Sequence, residues 1–242
     1  MRQDSQILNE RRKIWKSKKI LKKLYHNWYQ LIGRNLRPGS ILEIGGGSGN
    51  LKEFFPDAIS SDIQFAPWAD TVLDAHQIPI KDAILDNIVL FDVLHHLIDP
   101  VSFFREAQRT LKKKGRILLI EPYISWFSFF IYRFLHPERM IWNIDPFKKG
   151  GACKDKNYFY SNQAIPTLIF ERNEKIFVGK FPRLKIFLKK RMDFILCPLS
   201  GGFHNPSLCP LFLYSTFNNL EKILYPFNRF LAFRIFVVLE KI

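Results

Sequence analysis

A short apolar run with a single acid, followed at once by four glycines within five positions, constrains this chain more than any other feature. In residues 41–54, ILEIGGGSGNLKEF, the run ILEI has the length and composition of a buried strand. Gly45, Gly46, Gly47 and Gly49 then permit positive φ and remove side chains, so that backbone N–H groups and a helix start can approach a ligand. A strand entering a glycine loop is the opening unit of an α/β sheet that binds beyond the carboxyl ends of its strands. A phosphate loop would need a lysine after its last glycine, and Gly49 is followed by Asn50. A dinucleotide loop fits poorly, because Asn50 stands where its third glycine would fall. Glu43, at the end of the strand, would oppose a pyrophosphate and suits a ligand that carries positive charge.

Beyond the loop the pattern alternates as βα units do. Residues 50–55 start a helix; AISSDI at 58–63, TVLD at 71–74, NIVLFD at 87–92 and RILLIE at 116–121 read as strands two to five. Residues 100–114 read as a helix, with Pro100 at its start, Val101, Phe104, Ala107 and Leu111 on one face and Gly115 as the stop. Strands alternating with helices predict a parallel sheet covered on both faces. KIFLKKRMDFIL and AFRIFVVLEK read as two final strands, with an amphipathic helix in LFLYSTFNNLEKILYPF between them.

The chain has 242 residues and a formal charge of +15, and the charge is concentrated early. Residues 1–25 hold nine Lys/Arg against Asp4 and Glu10, while Ile7, Ile14, Leu21 and Trp28 recur every seven positions. This predicts a basic amphipathic helix, either packed on the domain or drawn to an anionic membrane or nucleic acid. Cys153, Cys197 and Cys209 form neither an even disulfide set nor a Cys-x-x-Cys pair, which points to a reducing, cytoplasmic setting. The longest apolar run, ISWFSFFIYRFL, is too short to span a bilayer and contains Arg133. His26, His76, His136 and His204 are scattered and the adjacent pair His95–His96 has no partner at ligand spacing, so no metal is expected.

Taken together, residues 38–122 resemble a class I S-adenosylmethionine-dependent methyltransferase. LEIGGGSG resembles that family's first motif, Asp62 its acid after the second strand and Asp74-Ala75 its adenine-side loop; NIVLFDVLHHLIDP and RTLKKKGRILLIEP resemble its later motifs. The Val-Leu-His-His-Leu segment is similar to small-molecule and lipid methyltransferases, including those of quinone biosynthesis. Lys113-Lys114-Gly115 departs from the family's Lys-Pro-Gly-Gly, at a turn and not at the site. The resemblance implies a doubly wound, mainly parallel seven-stranded sheet (a Rossmann-like methyltransferase fold) in one domain. Its parts are a basic amphipathic helix at 1–37, a cofactor-binding core at 38–122, an acceptor-side insertion at 123–182, and the last strands with a C-terminal helix at 183–242.

The resemblance also assigns roles, with S-adenosylmethionine as cofactor. Gly45, Gly47 and Gly49 admit its methionine and ribose portion; Asp62, 19 positions after Glu43, accepts from the ribose hydroxyls, and Ile63 lies against the adenine. Asp74 accepts from the adenine amino group beside the Ala75 backbone, Glu43 orients the methionine end, and Asp92 either assists there or caps its strand. His95 and His96 are candidates for a general base facing the transferred methyl, or else line the pocket. Asp92-Val93-Leu94 lacks the Asn/Asp-Pro-Pro-Tyr pattern of enzymes acting on base amines, and no cysteine follows the fourth or fifth strand as a pyrimidine nucleophile. The aromatic insertion and basic helix instead favour a small or lipid-like acceptor, with peripheral contact at the inner face of a membrane. An RNA methyltransferase, or a non-catalytic cofactor-binding or membrane-associated assembly protein, are the alternatives.

Overall fold

A computed structural model describes residues 2–136, 138–148 and 161–242. Residues 149–160 of the expected insertion, with Cys153, lie outside the described residues. The chain folds as the alternating pattern implies, around β1 (Ile41–Ile44), β2 (Ile59–Asp62), β3 (Thr71–Val72), β4 (Leu85–Phe91), β5 (Leu111–Pro122), β6 (Leu184–Met192) and β7 (Arg234–Lys241). These form a single seven-stranded sheet in the order β3-β2-β1-β4-β5-β7-β6. β1 to β5 pair in parallel, whereas β7 runs antiparallel to both β5 and β6. Strand order reverses between β1 and β4, which opens a crevice at their carboxyl ends where ligands of such sheets bind.

Helices cover both faces because the central strands are apolar on both sides. α1 (Arg2–Ser17) and α2 (Lys19–Gly33) lie on one face, where Trp15, Leu21, Leu24, Trp28 and Ile32 pack with Val89, Leu118, Ile120, Phe236 and Val238. α3 (Pro100–Thr110) lies on the other, where Phe103 and Phe104 join Ile88, Leu90, Ile117 and Leu119. α4 (Trp126–Phe134), α5 (Ile165–Thr167), α6 (Glu174–Lys180), α7 (Leu196–Ser200), α8 (Tyr214–Ile223) and α9 (Asn228–Leu231) complete the described helices. Phe170, Phe177 and Phe181 stack edge-on and tilted against Phe104 to close the second core.

Four expectations need correction. The N-terminal basic segment is two helices, since Lys18 leaves helical geometry at φ −90°, ψ 87° and its Nζ donates to the carbonyls of Gly202 and Asn205 at 2.6 and 2.7 Å. The helix after the glycine loop is a single 3₁₀ turn, Leu51–Glu53, cut short because Pro56 drives Phe55 away from α geometry. α3 stops at Thr110 and the chain enters β5 at Leu111, with Lys114 at φ 65°. β6 ends at Met192 because Asp193 takes a left-handed conformation at φ 62°, and the expected strand residues beyond it turn into α7. Among the described residues no helix is long and apolar enough to cross a membrane.

Candidate functional site

The carboxyl ends of β1 to β5 surround a cavity of about 550 Å³, within the size range of small-molecule sites. Its floor is the glycine loop. Gly45, Gly47 and Gly49 take φ of 72°, 51° and 75°, a region that side chains disfavour. A Cβ on Gly45 would stand 2.3 Å from Val93 Cγ2, whereas one on Gly47 would meet no atom closer than 3.9 Å and would project into open space. Gly49 does not line the cavity: its missing side chain makes room for Trp68 and Arg12, so its requirement is packing. Arg12 donates to the Ser48 carbonyl at 2.8 Å and lies over the Trp68 ring, while Trp68 Nε1 donates to the Gly47 carbonyl at 2.8 Å. Part of the basic α1 thus braces the loop.

The acids expected from the sequence converge on this floor. Asp62 accepts from the Gly47 and Gln64 N–H groups, each at 2.9 Å, which fixes the carboxylate beside the loop. Ile63, Asp74 and Ala75 line the adjoining wall, with Asp74 accepting from the His76 N–H at 2.8 Å and from its Nδ1 at 2.7 Å. Glu43 is buried below and accepts from the Ser60 hydroxyl. Burial raises its pKa to about 7, against the Ser60 hydrogen bond that lowers it and with the nearby Asp62 charge adding to the rise. Asp92 also lines the cavity, but both its oxygens accept from the guanidinium of Arg234, the contact from Nη2 measuring 2.9 Å. Its backbone sits at φ 55°.

His95 and His96 follow β4 on a 3₁₀ turn, and both border the cavity. His95 is 2% exposed; its Nδ1 donates to Glu121 Oε2 at 2.7 Å and its Nε2 faces Glu138 Oε2 at 3.5 Å. Burial alone would lower its pKa, but the hydrogen bonds to Glu121 and Glu138 prevail and raise it to about 10. An imidazolium so held is not a base at neutral pH. Glu121, fully buried, also accepts from the Val93 and Leu94 N–H groups, so one carboxylate at the end of β5 orders the whole turn after β4. Glu138 further accepts from Ser161 and Gln163, and the His95 contact holds its carboxyl well below the usual range despite burial.

The remaining wall holds Tyr25, Trp28, Phe91, Tyr132, His136, Cys197 and His204. Cys197 is no thiolate nucleophile, because burial pushes its thiol up to about 12. Five cavity-lining side chains keep a buried polar atom without a protein partner: Arg11 Nε, Asn50 Oδ1, Gln64 Oε1, Gln163 Oε1 and Arg234 Nε. Buried orphans are rare unless a ligand or water completes them, so the cavity suits a polar ligand such as S-adenosylmethionine along its floor. Glu138, Gln163, Arg11 and Arg234 were not singled out in the sequence, because each lies far along the chain from the motifs it completes, and Glu121, inside RTLKKKGRILLIEP, read only as the end of its strand.

Residues 17–173 match the family described as a methyltransferase domain. The chain belongs to this methyltransferase family. Its class is that of the S-adenosylmethionine-dependent enzymes with a Rossmann-like sheet, and S-adenosylmethionine is the cofactor. An S-adenosylmethionine-dependent methyltransferase from Thermotoga maritima superposes with a TM-score of 0.59 at 15% identity, covering 98% of this chain and 96% of that one. One from Archaeoglobus fulgidus gives a TM-score of 0.51 at 14% identity, covering 90% and 94%. An uncharacterised protein of Methanocaldococcus jannaschii is 28% identical over 104 residues, 40% of this methyltransferase chain and 51% of the relative. The chain thus spans about half the length of that curated relative.

Proposed function

We propose that this protein transfers the methyl group of S-adenosylmethionine to a small or lipid-like acceptor, drawn from a membrane surface. The observation that carries the reading is the continuity of the cavity from the glycine loop and Asp62 to the histidine and aromatic wall beyond β4. S-adenosylmethionine, when bound, supplies a methyl group already activated on a sulfonium, so the protein has chiefly to align the acceptor with it, a contribution of up to about 7–11 kcal/mol.

The residues divide that work. Asp62 and Asp74 hold the ribose and adenine ends, with Ile63 and Ala75 between them, and Glu43 carries the negative charge that answers the cationic end. Arg11 Nε, buried without a partner, is placed to meet a carboxylate. His95 positions the turn through Glu121, so the base role falls to His96, which lines the cavity on the same turn. On the acceptor side, α4 turns Tyr132 into the cavity while exposing Trp126, Phe127, Phe130 and Phe134 to solvent. α4 packs against α9, whose Phe230 is also exposed, and Arg133 and Arg229 flank the patch. Exposed aromatic rings with basic neighbours suit the interface of an anionic bilayer.

The test is transfer of labelled methyl from S-adenosylmethionine by the purified protein into a cell extract separated into organic and aqueous phases. Label is expected in the organic phase, reduced about 10- to 100-fold by Asp62→Ala through loss of charge-assisted hydrogen bonds. Label in RNA alone would replace the lipid-like acceptor with a nucleic acid. No transfer at all would leave a cofactor-binding protein without turnover.

A further inference from the structure

We propose that His95, His96 and Glu138 form a binding site for a divalent first-row transition cation on the acceptor side of the cavity. One ligand atom from each lies within 4.8 Å of the other two. Small side-chain adjustments would bring all three onto an ion at bond lengths of about 2.0–2.2 Å.

The surroundings of His95 have the form found at metal-binding histidines. Glu121 accepts the Nδ1 proton at 2.7 Å and directs Nε2 towards Glu138 at 3.5 Å. A buried carboxylate behind an imidazole fixes the tautomer that can ligate and increases its basicity. Glu121 is in turn fixed by the Val93 and Leu94 N–H groups at 2.9 and 2.7 Å, so the imidazole cannot swing away without breaking the turn. Glu138 is braced by the Ser161 hydroxyl at 2.6 Å and by the Gln163 amide.

A separate observation points to a missing partner at the same place. Gln163, 2% exposed and on the cavity wall, donates to Glu138 while its Oε1 remains buried with no donor. An amide oxygen without a donor, next to a carboxylate and two imidazoles, is an arrangement that an ion or its bound water would complete. The neighbouring group of Asp92, His95 and Glu121 is less open, because Asp92 is engaged by Arg234 and Glu121 by backbone N–H groups. Two imidazoles and one carboxylate favour Zn²⁺, Fe²⁺, Co²⁺ or Ni²⁺ over Mg²⁺ or Ca²⁺. Such a cation replaces the proton shared by His95 and Glu138. It would also change the chemistry proposed above: His96 becomes a ligand in place of a base, and an acceptor hydroxyl bound to the ion is acidified by it.

The site is tested with Co²⁺ alone, titrated into the full chain after chelation and dialysis, and followed by visible ligand-field absorption and calorimetry. Saturable uptake of a single equivalent is expected, weakened at least about tenfold by His96→Ala and by Glu138→Gln. His26→Ala, at an exposed histidine away from the cavity, should leave uptake unchanged; a thermal melt verifies that each variant is folded. Absence of saturable uptake, or uptake that His96→Ala and Glu138→Gln both leave unaltered, overturns the site. Neither S-adenosylmethionine nor an acceptor is present, so uptake without methyl transfer would sustain the cation site while removing the methyl-transfer proposal, and the reverse result would do the opposite.

Discussion

Glu43 sits beneath the glycine loop with a pKa of about 7, set by burial against the help of Ser60. Between its unfolded value near ~4.5 and about 7 the folded protein retains a proton that the unfolded chain has lost, so this group makes stability fall as pH rises through that window. A cationic ligand above Glu43 reverses the preference by favouring the ionised form. Affinity for S-adenosylmethionine should therefore weaken as pH drops below about 7, approaching tenfold per pH unit, and Glu43→Gln should abolish that slope. Calorimetry at several pH values checks it; an equal slope in the variant would place the coupled proton elsewhere. At this scale Glu43, Asp62 and Asp74 could be picked out of the sequence because each stands in or just after one of the first three strands, and all three line the cavity. The acceptor half could not. Glu121 read only as the end of a strand, and Glu138 as one acid in an aromatic insertion, since nothing local indicates that both will meet at His95.

Among the elements, the N-terminal helices take the packed one of their two expected readings, and α4 exposes large aromatic side chains. The apolar stripe of α2 is spent on the sheet, with Leu21, Leu24, Trp28 and Ile32 all buried. Several of the basic groups beside it have internal partners: Arg12 over Trp68, Lys22 over Trp15, Lys23 over Tyr214. α4 is shorter and less basic, yet it leaves Trp126 75% and Phe134 72% exposed. Anionic vesicles should therefore bind the wild type more strongly than a Trp126→Ser, Phe130→Ser, Phe134→Ser variant, by about tenfold or more if the three rings insert. Sedimentation with vesicles measures this, and equal binding would exclude α4 as the contact. Periodicity had located the main elements well, because their apolar residues recur at helical or strand spacing. It missed the joint at Lys18, whose cause is two carbonyls near residues 202–205, and the truncated turn after the glycine loop, where Pro56 prevails over the helical pattern.

Across the whole molecule, the last described strand completes both the sheet and the site. β7 lies between β5 and β6, and its first residue, Arg234, reaches past the end of β5 to Asp92 after β4 and lies 4.9 Å from the Trp28 ring centroid. Arg234→Met should lower unfolding stability by about 1–3 kcal/mol, the fully buried figure being reduced because Asp92 keeps 29% of its side-chain surface exposed. Adding Asp92→Asn should recover part of that loss. Denaturant melts of the single and double variants measure the coupling, and strict additivity would show the pair to be incidental. The same placement governs how the protein is made. As the chain leaves the ribosome, β5 and β6 emerge with open edges, and Asp92 waits for a counter-charge encoded 142 residues later. Until residues 234–241 emerge, the sheet lacks the strand that fills the slot between β5 and β6, and unpaired strand edges of this kind are open to a chaperone or a second nascent chain.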